Sequence, residues 1–101
     1  MRLGSLALFL CACLVSTSAL AVIDCSRAQT NADLMICSNR TLASAQEQMA
    51  KTFRKALRRG VDHSLLRDTQ RSWYEKERNA CNDVQCLLEA FETRSAELDT
   101  Y

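Results

Sequence analysis

The residues of this chain best suited to chemistry are its cysteines, four of which lie beyond the apolar start, at Cys25, Cys37, Cys81 and Cys86. As free thiolates they would be nucleophiles or zinc ligands. In a short exported chain an even number favours disulfides, because an oxidising compartment forms bridges and a small core needs them. Zinc is the competing chemistry, but no C-x-x-C pair occurs and the lone His63 lies far off in sequence. No metal and no cofactor is expected. Four cysteines allow three connectivities. Pairing Cys25 with Cys37 and Cys81 with Cys86 closes two local loops, each worth about 2 to 3 kcal/mol in the loop-entropy model. The rival pairs Cys37 with Cys81, which stand at nearly equal distances along the chain from Gly60 and reach the same height if the chain turns there. The local pairing is preferred and the rival stays open.

Catalysis finds little support in the remaining side chains, and an enzyme is not expected. His63 has no free Cys to activate once all four are bridged, and there is no glycine-rich phosphate loop. Glu75 and Glu77 are two residues apart and point to different faces of a helix, so they make no acid/base pair. Asn39-Arg40-Thr41 matches a glycosylation acceptor, but the tripeptide is common by chance and falls within an expected helix.

The first 21 residues resemble a cleaved export signal. Met1 and Arg2 make a basic start, residues 3–15 form an apolar run, and Ser18-Ala19-Leu20-Ala21 ends in the small-x-small pattern cut by signal peptidase. The run falls short of the ~20 apolar residues that a membrane-spanning helix needs. Leu10-Cys11-Ala12-Cys13 is part of a lipobox, so attachment to a membrane is expected only if Cys13 is lipidated. A soluble mature chain from Val22, periplasmic or secreted, is the expectation.

That mature chain balances 12 basic residues with 12 acidic ones, so nucleic acid is not an expected partner. The charge is unevenly spread. Residues 40–71 carry eight basic and three acidic side chains, whereas residues 72–101 carry three basic and seven acidic. Such a dipole bears on the choice of a protein partner.

The positioning elements are helical. With 48% hydrophobic residues, no Pro and two Gly, the chain suits one small all-α domain. Thr30 followed by Asp33 approximates a capping box, and Leu34, Cys37, Leu42, Ala45, Met49, Phe53, Ala56 and Leu57 recur at steps of mostly three and four. One helix over residues 31–59 is expected, about 40 Å at 1.5 Å per residue, ending at Gly60. Lys51, Arg54, Lys55, Arg58 and Arg59 crowd its last turns, where cations complement the helix dipole.

Asp62 or Ser64 caps a second helix with Leu66, Thr69 or Gln70, Trp73, Glu77 and Ala80 on one side. Trp73 is read as core between these first two helices. Asn82-Asp83 turns the chain into a third helix showing Val84, Leu87, Leu88, Phe91, Ser95 and Leu98 on one side. Phe53 and Phe91 join Trp73 as expected core. Arg94 is expected to form a surface ion pair of little weight. The architecture read from the sequence is a long helical hairpin plus a short third helix, stapled by two disulfides.

Asp24-Cys25, Thr30, Asp33, Ile36-Cys37, Leu42, Met49 and Phe53 carry a resemblance that continues through Gln70-x-x-Trp73 and Arg78-Asn79-x-Cys81-x4-Cys86-Leu87-x3-Phe91-x2-Arg94-x3-Leu98. Together these resemble the LprI-like lysozyme-inhibitor family, over nearly all of the mature chain. The second half is the more specific, since a Trp, an Arg and two Cys fall at the family's spacings together. Phe53 and Phe91 stand where the family commonly has Tyr, and Gln46 where an Asp is common.

The resemblance implies a small helical, disulfide-linked envelope protein, and inhibition of lysozyme by some members. A cationic enzyme with two carboxylates in a cleft can be blocked by a rigid element steered by opposite charge. Glu89, Glu92, Glu97 and Asp99 supply acidic charge on the third helix; Arg58, Arg59 and His63 form a basic tip that can address the carboxylates. The alternative is an assembly module of the envelope that binds another protein through the same hairpin.

Overall fold

The computed structural model describes residues 24–101. The expected signal segment, its cut after Ala21 and the Cys11 to Cys13 stretch lie outside the described residues. Those described form an all-α domain with two disulfides and no strand among them. A 3₁₀ turn at Cys25–Arg27 leads into α1 (Asn31–Ser38), α2 (Arg40–Arg58), α3 (His63–Trp73) with a π-helical continuation over Tyr74–Arg78, and α4 (Val84–Asp99).

The single helix expected over residues 31–59 is broken at Asn39, whose backbone is extended at φ −137° and ψ 114°. Asn competes with the helix by bonding nearby backbone groups. Here its side-chain oxygen accepts from the Leu42 N–H at 3.1 Å and caps α2, while its own N–H donates back to Ile36. The sequon at Asn39 therefore lies at a helix boundary. Upstream, the capping box is complete: Thr30 Oγ1 accepts from the Asp33 N–H, and the Asp33 carboxylate accepts from the Thr30 N–H. The Cys25 to Cys37 bridge then folds the 3₁₀ turn onto the last turn of α1.

At the other end of α2 the chain reverses through Gly60 at φ 87°. The Val61 N–H bonds to Ala56 O and the Gly60 N–H to Leu57 O, the paired bonds of a Schellman motif. Asp62, rather than Ser64, caps α3 by accepting from the Leu65 N–H at 2.9 Å. Beyond Trp73 the helix widens, with the Asn79 N–H bonded to Tyr74 O. In an ordinary α-helix the residue four beyond Trp73 would share its face, and that was the inward place expected for Glu77. The π turn inserts one residue, so Arg78 is buried and Glu77 is exposed.

The Cys81 to Cys86 bridge spans the corner between this turn and α4, whose N-cap Asp83 accepts from the Cys86 N–H. The hairpin of α2 and α3 is present. Most of its cohesion comes from α4, a 16-residue helix that packs chiefly against α2. The core runs through Ile36, Leu42, Leu66, Leu87, Phe91 and Leu98, all essentially without solvent access, and each such side chain contributes about 1.5–3 kcal/mol. Trp73 reaches further than the hairpin, because its ring lies 5.6 Å from that of Phe91 and its Nε1–H donates to Ala90 O on α4. Phe53 is half-buried, at the margin of this core.

Candidate functional site

The hairpin of α2 and α3 leaves a groove that no described residue of α4 lines. Met49, Ala50, Phe53 and Leu57 recur on α2 at steps of one, three and four and form one wall of a groove whose other wall is Trp73 and Tyr74. The cavity measures about 420 Å³ and continues past Phe53, Leu57 and Tyr74 into a second one of about 460 Å³ toward the hairpin turn. Met49 and Trp73 are its floor, at 7% and 6% exposure, whereas Tyr74 stands 41% exposed at the mouth. Its rim is basic: Arg54 on α2, and Arg67, Arg71 and His63 on α3, with Glu75 the acidic residue among them. Among the described residues no carboxylate pairs with Arg54, Arg67 or Arg71.

Two buried arginines contact side chains that line the groove, Arg78 at Tyr74 and Arg94 at Gln70. Arg78, 2% exposed, donates to Asp33 of α1 at 2.8 Å and to Asn79, while its guanidinium lies 4.2 Å from the centre of the Tyr74 ring. A buried ion needs such a partner and such hydrogen bonds to persist. Burial pushes the Asp33 carboxyl up. That effect is outweighed by hydrogen bonds from Arg78 and the Gln29 and Thr30 N–H groups and by the Arg78 charge, which hold it below the ordinary value.

Arg94, also 2% exposed, does pair with Glu97 at 3.3 Å, but from a buried position rather than from the surface. It donates to Gln70 Oε1 at 2.8 Å and Thr69 Oγ1 at 2.9 Å on α3, and to the exposed Glu97. Gln70 in turn donates to Met49 Sδ, so one polar chain ties α4, α3 and α2 together. Tyr101 closes that network through its hydroxyl bond to Thr69, which lowers the phenol pKa; burial opposes this and Arg94 assists it.

The binding residues expected from the sequence fall on separate places. Arg58 and His63 are exposed on either side of the Gly60 turn. Arg59 is engaged: its guanidinium donates to Leu98 O at 2.8 Å and to Tyr101 O, at the C-terminal end of α4, where a cation complements the helix dipole. Glu89 and Glu92 lie exposed on α4, and Glu89 accepts from Gln85. Sequence reasoning missed the pairing of Asp33 with Arg78 and the burial of Arg94. The second carried a usable signal, since Arg94 falls three residues after Phe91 and four before Leu98, on the buried stripe of α4.

His63 is exposed, and the four cysteines of the described residues are bridged. The fold and the site define a small disulfide-bridged helical bundle with a basic-rimmed apolar groove. A scan against family models and searches of curated proteins and of solved structures each found no match.

Proposed function

We propose that this chain is an exported protein of the bacterial envelope that acts by binding another protein, and that a lysozyme is its target. The observation that carries this reading is the exposed acidic face of α4, with Glu89 and Glu92 fixed on a helix that the Cys81 to Cys86 bridge and the Arg94 network hold rigidly against the hairpin. A rigid acidic surface loses little conformational freedom on docking and steers a cationic enzyme toward itself. The LprI-like resemblance supplies the enzyme class. Arg58 and His63 at the turn add a cationic tip for the cleft carboxylates, with Arg59 beside them serving the fold.

The experiment is lysis of a bacterial cell-wall suspension by c-type lysozyme, with the oxidised protein added in stoichiometric amounts and the reduced, alkylated protein as control. Inhibition is expected with the oxidised form, lost on reduction, and weakened at least tenfold by Glu89→Lys with Glu92→Lys in a protein of unchanged helicity. Full lysis in the presence of the folded, bridged protein would sink the lysozyme reading. The second reading, an envelope assembly module, is favoured by the balance of 12 basic and 12 acidic residues beyond residue 21, because a dedicated inhibitor of a basic enzyme gains from strong net acidity.

A further inference from the structure

The groove between α2 and α3 is lined by no described residue of α4 and is rimmed by basic side chains, so it is poorly suited to a cationic enzyme. We infer that it is a binding site for a single-chain anionic amphiphile of the fatty-acid type, held with its alkyl chain along Met49, Phe53, Leu57 and Trp73 and its carboxylate at the arginines of the rim.

Three observations converge on that ligand. The first is size: about 420 Å³ in the deeper part lies within the range of small-ligand pockets, which are mostly apolar with a few polar groups that fix orientation. The second is depth. Met49 and Trp73 at the floor are buried, Ala50, Phe53 and Leu57 on the wall are half-buried, and Tyr74, Arg67 and Arg71 stand exposed at the mouth. The apolar side chains therefore lie at the bottom of the groove and the charged ones at its mouth, the order in which an alkyl chain with a charged head group presents its own two ends. The third is charge. Arg54 on one wall and Arg67 and Arg71 on the other have no carboxylate partner among the described residues. Arg78, by contrast, is committed to Asp33 and stacks on Tyr74, which fixes that wall. A carboxylate held by a guanidinium forms charge-assisted hydrogen bonds about twice as strong as neutral ones, and an alkyl chain leaving water for the groove gains about 0.8 kcal/mol per buried methylene. The charge on the rim selects the sign of the head group, and the apolar floor selects the chain.

This site is independent of the lysozyme reading, and its test uses no enzyme. Trp73 is the only Trp of the chain and lies in the groove floor, so its emission reports occupancy directly. Dodecanoate, added below its micellar concentration to the oxidised protein, is expected to shift Trp73 emission saturably at one site per chain, with calorimetry giving the same stoichiometry. Dodecyltrimethylammonium, with the same chain and the opposite head group, is expected to bind at least tenfold more weakly. Arg54→Glu with Arg71→Glu should weaken dodecanoate at least tenfold, and Ala50→Phe, which fills the groove from its wall, should abolish the site, both with unchanged helical circular dichroism. Absence of saturable dodecanoate binding, equal affinity for the two amphiphiles, or indifference to both variants would overturn the proposal. So would sedimentation showing that a second copy occupies the groove, as a dimer that Ala50→Phe dissociates.

Discussion

Arg78 and Asp33 form the pair on which the geometry of the base of the bundle turns. They are 45 residues apart in sequence and 2.8 Å apart in space, and they join α1 to the π turn. Removing one partner leaves the other buried and uncompensated, which costs about 3–5 kcal/mol. Arg78→Ala is therefore expected to lower the urea midpoint strongly, and Arg78→Met combined with Asp33→Leu much less, since an apolar pair of similar volume needs no counter-charge. Because the folded Asp33 carboxyl is held below the ordinary aspartate value, its contribution is fully present above that value and lost as pH falls through the lower folded one. Denaturation followed from about pH 6 to about pH 2 should show an acid-dependent loss of stability that Asp33→Asn reduces. An unchanged acid dependence in that variant would place the sensitivity in other carboxylates.

At the scale of elements, the two interruptions do more than the helices between them. The break at Asn39 turns α1 away from the line of α2, and the π turn at Tyr74–Arg78 rotates α3's end so that Arg78 faces α1. Asn39→Ala is expected to cost about 1 kcal/mol through loss of the cap to Leu42, seen as a lower thermal midpoint with the disulfides intact. A midpoint equal to the parent's would mean that the break is imposed by packing alone. Gly60 has open space where a Cβ would sit, so its demand is conformational: a side chain at φ 87° is strained by about 1–2 kcal/mol.

The described residues form a small bundle whose core is one contiguous cluster, and domains of this size lean on covalent staples. The two bridges close separations of 12 and 5 residues, worth roughly 3 and 2 kcal/mol in the loop-entropy model. Cys25→Ser with Cys37→Ser should lower stability by about 3 kcal/mol, with loss of protection from hydrogen exchange concentrated in α1, because that bridge holds only the lead-in and the first helix. Protection lost evenly across α2 and α4 would show instead that the bundle folds as one unit with its lead-in. The basic-rimmed groove and the acidic α4 face also belong to this scale, since the basic middle and the acidic end of the chain become surfaces of one body only when the helices pack.

The sequence by itself determined the all-α class, the turn at Gly60 and the caps at Thr30 and Asp83, because each depends on residues within a few positions of one another; it preferred the local cysteine pairs without excluding the rival and left the cap of α3 between Asp62 and Ser64. Trp73 and Phe91 were legible as core from their spacing alone, though not their mutual contact. Only the tertiary structure decided that Arg78 and Arg94 are buried, since a guanidinium enters a core when distant acceptors such as Asp33, Thr69 and Gln70 are brought to it. The break at Asn39 was hidden for a related reason: apolar residues on both sides keep a helical period, and the cap that separates them competes with the helix by a margin that periodicity does not register. The groove was hidden too, because Met49, Phe53, Leu57 and Trp73 have the spacing of ordinary core residues. Packing decides which side of the hairpin α4 covers, and so which of these side chains remains open to a ligand.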